Sequence, residues 1–169
     1  MESRVKVLGH SVHPMLIVFP LGLLATAMVF DLIYVFNENS IMAWVAYWMI
    51  VSGLIGGAIA GAAGWLDWLA IPAATRAKSV GLIHGLINSF ILVLAAANVF
   101  LRNDDPATPP TIAVVLSVVI VLLALVGGWL GGELVERLGV AVHDGANLNA
   151  PNSLVEDKAD ATKKPVQSV

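Results

Sequence analysis

Four long apolar stretches dominate this chain, and each is long enough to cross a bilayer as a helix. They run from about His13 to Phe36, Met42 to Leu69, Val80 to Leu101 and Thr111 to Val135. The hydrocarbon core takes about 20 helical residues to cross, so every stretch qualifies, the second with some tilt. The connections are short and polar: Asn37-Glu38-Asn39-Ser40, Pro72 to Ser79, and Arg102 to Pro110. Such links force consecutive helices to run antiparallel. The expected fold is an all-α membrane protein, an up-down bundle of four transmembrane helices within residues 1–143. Composition agrees, with 58% hydrophobic and only 12% charged residues and a mean hydropathy of +0.84; soluble domains carry about twice that share of charge.

Arg4 and Lys6 precede the first stretch, and Ala25-Thr26-Ala27 within it has the small residues of a cleavage site. The apolar run continues to Phe36, too long for a cleaved signal peptide, so a retained helix is expected. From about Asp144 onward Asn, Asp, Lys, Ala and Pro replace the apolar pattern, and residues 144–169 are expected to form a disordered polar tail.

Orientation follows from the basic residues. In a four-span chain Arg4, Lys6, Arg76, Lys78, Arg137, Lys158, Lys163 and Lys164 share one side, and Arg102 alone lies on the other. The positive-inside rule then places both termini in the cytoplasm. Trp44, Tyr47 and Trp48 are expected at the outer boundary of the second span, Trp65 and Trp68 at its inner boundary, and Trp129 near the inner end of the fourth.

The polar residues inside the spans are not scattered. His13 and His84 begin the first and third stretches, and Asp67 and Glu133 close the second and fourth. In the antiparallel arrangement all four reach the same side at similar depth. Ionisable groups in a membrane are costly and by default mark a function. Each also has a structural reading: His13 as a cap before Pro14, His84 bonded to a carboxylate, and the two acids reaching interfacial water. Asn88, one turn after His84, is placed to orient it. Asp31 is expected to be an interfacial snorkelling acid bonded to Asn98 or Tyr34, His143 to be solvated, and Pro20 to kink the first helix.

A weak internal repeat reinforces the grouping. Each half has a histidine, an outward helix, a glycine-rich return helix, Gly-Trp-Leu (residues 64–66 and 128–130) and an acid. Two parallel repeats related by an axis along the membrane normal would bring the histidines and carboxylates to one level. Gly53, Gly57 and Gly61, and the pairs Gly127/Gly131 and Gly128/Gly132, are spaced by four. That spacing makes close helix–helix seams, within the chain or in a homodimer, and alternatively leaves room for a flat cofactor.

The stretch Gly9-His10-Ser11-Val12-His13-Pro14-Met15-Leu16-Ile17-Val18-Phe19-Pro20 resembles the H-x-x-H-P-M-x-x-x-x-P opening of the bacterial family called domain of unknown function 2231. Asp67, His84 and the segment from Gly131 to Val142, similar to G-G-x-L-V-x-R-x-G-V-x-V, extend the resemblance over about residues 9 to 142. It implies a four-helix inner-membrane protein and no particular reaction.

Chemistry narrows the choices further. Cysteine is absent, which excludes disulfides, thiolate metal sites and covalent haem attachment. Nucleotide-binding loops, metalloprotease motifs and a nucleophile elbow are also absent, and no basic face suits nucleic acid. Three readings of the polar group stay open. His84 with His13 or His10 could ligate a b-type haem in an electron-transfer module working with a membrane redox partner, with Arg76 and Lys78 pairing the propionates. His13, Asp67, His84 and Glu133 could instead hold a non-haem metal ion. The same residues could relay protons or ions. A purely structural membrane subunit is the remaining alternative.

Overall fold

The computed structural model describes residues 1–154. A short hairpin, β1 (Lys6–Val7) and β2 (His10–Ser11), leads into α1 (Val12–Leu16) and α2 (Val18–Asn37); α3 (Ser40–Ala70), α4 (Arg76–Leu101) and α5 (Thr111–Gly132) follow, and a π-helical turn (Glu133–Arg137) continues α5. Four of these helical segments are long and apolar enough to span a membrane: Val12–Asn37, Ser40–Ala70, Arg76–Leu101 and Thr111–Arg137. Neighbours in sequence pack together and α2 also meets α5, which closes the bundle. Both described ends of the chain lie at one end of it, called here the termini-bearing end.

Local signals explain the boundaries. The Asn39 side chain accepts a hydrogen bond from the Ile41 amide and Thr75 does the same for Lys78, so α3 and α4 start on side-chain caps. Pro110, extended at the start of α5, has no N–H to leave unpaired. Pro20 cannot donate to the Leu16 carbonyl, and the first span is interrupted at Ile17, between α1 and α2. His10, the alternative to His13 as a haem ligand in the sequence, sits on β2 and not on the helix that carries His13.

Packing is uneven along the membrane normal. In the half remote from the termini, Leu24, Ala27, Ala46, Ile50, Ile91, Ala95 and Ile120 form a continuous buried core. Seam glycines serve it: a Cβ on Gly53 would come within 2.9 Å of Leu24, and one on Gly57 within 2.6 Å of Leu92. Here too lies a correction. Asp31 does not snorkel to the interface but is fully buried, as are Asn98 and Arg102. The Arg102 guanidinium donates to Asp31 Oδ1 at 2.8 Å and Oδ2 at 2.7 Å, while its Nε donates to Asn98 Oδ1 at 2.6 Å. Ser117 donates to Asp31 Oδ2 at 2.6 Å, and the Asn98 amide donates to Ser117 and to the Ala113 carbonyl, both at 2.9 Å. The sequence read Arg102 as a loop charge because it is the first residue past the apolar run. A long side chain there can fold back into the bundle, and a carboxylate one helix away gives it reason to do so.

The termini-bearing half is hollow. A cavity of about 660 Å³ runs from Leu24, Ile91 and Ala124 down to Ile71, Leu134 and Val140. The described part of the expected tail, 144–154, has turns at 144–145 and 148–149, helical residues at 153–154 and no regular structure between; the rest of that expectation lies outside the described residues.

Candidate functional site

His13 reaches the cavity from α1 and His84 from α4. His13 Nδ1 lies 2.8 Å from the Ala60 carbonyl on α3, and His84 Nδ1 lies 3.0 Å from the Gly127 carbonyl on α5. A carbonyl only accepts, so each Nδ1 must carry a proton, and in the neutral ring Nε2 keeps the lone pair that can bind a metal. The two rings are neighbours, with centroids 6.3 Å apart and planes nearly perpendicular at 89°.

Glycine makes this approach possible. A Cβ on Gly64 would meet His13 Cε1 at 2.8 Å, and one on Gly131 would meet His84 Cε1 at 3.3 Å. Both glycines lie four residues beyond the carbonyl that holds the same ring. The internal repeat is therefore real in its chemistry but shifted in register. The geometry matches Ala60 and Gly64 with Gly127 and Gly131, whereas the Gly-Trp-Leu triplets had matched Gly64 with Gly128. No spacing in the sequence marks a backbone carbonyl as a partner, so this pairing could not be read there.

The other residues singled out from the sequence occupy separate places. Asn88 donates to the His84 carbonyl at 2.8 Å, and its amide nitrogen lies 3.4 Å from His84 Nε2, against the ring as expected. Asp67 lines the cavity but is engaged by the N-terminal segment, accepting from Ser3 Oγ at 2.7 Å and from the Arg4 amide at 2.8 Å. Glu133 is not part of the lining and pairs with Arg76 at 2.6 Å. Lys78 donates to the Trp68 carbonyl at 2.7 Å and sits 3.8 Å over the Trp68 ring. His10 is exposed on the hairpin. Among the described residues no three His, Asp or Glu side chains are gathered so as to hold a metal ion. The expected convergence of four thus reduces to the two histidines with Asp67 on the same cavity wall. Arg76 outcompetes other partners for Glu133 because both sit at the helix ends, where the carboxylate reaches the guanidinium without entering the bundle.

Trp65 and Trp68 were expected at the lipid boundary and instead line the cavity. They pack edge to face with centroids 5.2 Å apart, Trp65 against Gly85 and Trp68 against Gly81. Trp65 donates to Ser89 at 3.3 Å and Trp68 to the Lys78 carbonyl at 3.0 Å. Trp129, by contrast, is exposed as an interfacial residue would be.

Comparison with known families agrees with this architecture. The family model described as a predicted membrane protein, domain of unknown function 2231, matches residues 9–144. The chain belongs to this family. No curated protein and no solved structure matches it. The matched region includes both histidines, the whole cavity wall and the buried Asp31–Arg102 pair.

Proposed function

We propose that the cavity holds a haem b, with His13 and His84 as its axial ligands, and that the protein is an electron-transfer module of the bacterial inner membrane with its termini in the cytoplasm. The observation that carries this reading is the disposition of the rings. Two imidazoles on one metal through bonds of about 2 Å set their ring centres about 6 Å apart, and the observed separation is 6.3 Å. Each Nδ1–H is already held by a carbonyl, the outer-shell contact that fixes the tautomer of a ligating histidine. Glycines around the pair, among them Gly61 and Gly128, leave a largely apolar space for a flat group.

When bound, the haem supplies one-electron redox chemistry, and the protein sets its ligands and surroundings. Ala60 and Gly127 would hold the tautomer and orientation of the two imidazoles. Trp65, Trp68 and Leu92 exclude water and lower the local dielectric. Arg76 and Lys78, first considered as propionate partners, lie outside the cavity lining and have partners of their own, so propionates would have to draw them from those bonds. A non-haem metal ion is less well served, because among the described residues the histidines find no third side-chain ligand beside them.

The test is the absorption spectrum of protein purified from cells supplied with a haem precursor. The wild type is expected to show a Soret band, His13→Ala and His84→Ala to lose it, and Asp67→Asn to keep it. A colourless wild type sinks the haem assignment and leaves a proton-carrying or structural role for the pair.

A further inference from the structure

The N-terminal segment packs at the termini-bearing end of the bundle against residues that line the cavity, and is bonded to both of its walls. On the α3 side Asp67 accepts from Ser3 Oγ at 2.7 and 2.8 Å, from the Arg4 amide at 2.8 Å and from the Val5 amide at 3.3 Å. On the opposite side Ser11 donates to the Ala141 carbonyl at 3.3 Å, and Met1 packs against the cluster of Ile71, Leu134 and Val140. Asp67, Ile71, Leu134, Val140 and Ala141 all line the cavity. Ser3 and Asp67 are each only 7% exposed, so the contact is a buried one.

The hairpin has little to hold it folded by itself. Its strands are two residues each, with Lys6 opposite Ser11 and Val7 opposite His10, and an isolated two-stranded hairpin is marginal in water. Its turn residues, Leu8 and Gly9, have φ of 51° and 81°. Left-handed backbone at both positions suits Asn-Gly and strains a leucine. The tip is uncovered, with Val7 54% and Leu8 68% exposed. Asp67 takes four of the bonds that hold this weak element, against single ones from Ser11 to the Ala141 carbonyl and from the Met1 amine to the Gly139 carbonyl, so losing its carboxylate loosens the element most.

We propose that residues 3–11 form a lid over the termini-bearing end of the histidine cavity, and that Asp67 is the latch that keeps it shut. The lid governs access to the cavity whatever occupies it, so it rests on the cavity and not on haem. Asp67 touches no proposed ligand. It acts through Ser3 and the backbone of residues 4 and 5, and Val5 in turn accepts from the Val12 amide at 2.9 Å, next to His13.

The chain has no cysteine, so a single reporter thiol can be read cleanly. Val140→Cys places it on the cavity wall beneath the lid, and Asn103→Cys places a control at the opposite end of the bundle. Each is labelled in nanodiscs with a hydrophilic maleimide. Adding Asp67→Asn is expected to speed labelling at position 140 by about tenfold, the scale of a lost charge-assisted bond. Ser3→Ala, which removes a hydroxyl outside the bundle, is expected to speed it several-fold, and position 103 is expected to keep its rate in both. Rates at 140 within about twofold of the parent in both variants would overturn the lid, as would equal acceleration at 103. A missing Soret band removes the haem reading and leaves these rates as they are.

Discussion

His13 and His84 are seated alike although they arrive from different helices: a carbonyl takes Nδ1 and a glycine one turn on makes room for the ring. That makes Gly64 a sharp probe. Alanine is favoured over glycine inside a helix by about 1 kcal/mol, so Gly64→Ala would stabilise α3 if nothing opposed it. Its Cβ would instead meet the His13 ring at 2.8 Å. We expect Gly64→Ala to displace His13 and weaken the Soret band. Gly22→Ala, with no atom within 4 Å of its Cβ, should leave the band unchanged and raise the melting temperature or hold it. Equal behaviour of the two variants would show that Gly64 is not a seat for the ring. The histidines' shared depth was legible in the sequence because polar residues in apolar runs stand out. Their partners were not, since every residue has a carbonyl and only the packing selects one. Asp31 was visible too, but its partner Arg102 lay past the hydropathy boundary and read as solvent-facing.

At the scale of elements, the buried network joins α2 through Asp31, the end of α4 through Asn98 and Arg102, and α5 through Ser117. Every polar side-chain atom buried there has a partner. Removing one member leaves the other charge buried and alone, which costs roughly 3–5 kcal/mol, whereas replacing both by apolar groups is often neutral. Asp31→Leu and Arg102→Met are therefore each expected to lower thermal stability in detergent strongly, and the double variant to recover most of the loss. Additive losses would mean that the pair is not a clamp. The spans were legible because their apolar composition alone decides them. The hairpin before α1 was not, because two-residue strands leave no periodicity to read and their stability comes from Asp67, distant in sequence.

On the scale of the whole molecule, the bundle is filled at one end and open at the other, and the membrane gives that asymmetry a direction. The dense core and the Asp31–Arg102 clamp occupy the half remote from the termini, and the histidine cavity occupies the half that carries Arg76, Lys78 and Arg137. Lys and Arg flanking membrane helices favour the cytoplasmic side, and of the six among the described residues Arg4, Lys6, Arg76, Lys78 and Arg137 lie at the termini-bearing end. The sixth, Arg102, is neutralised by Asp31 inside the bundle, so it offers little resistance to crossing. In the orientation proposed above, the cavity would open toward the cytoplasm. Alkaline phosphatase joined after Phe36 or at Asp105 should be active, as a periplasmic reporter is, and a fusion after Val142 should be inactive. Activity at Val142 would turn the bundle over and move the open half, with its histidines, to the periplasmic face.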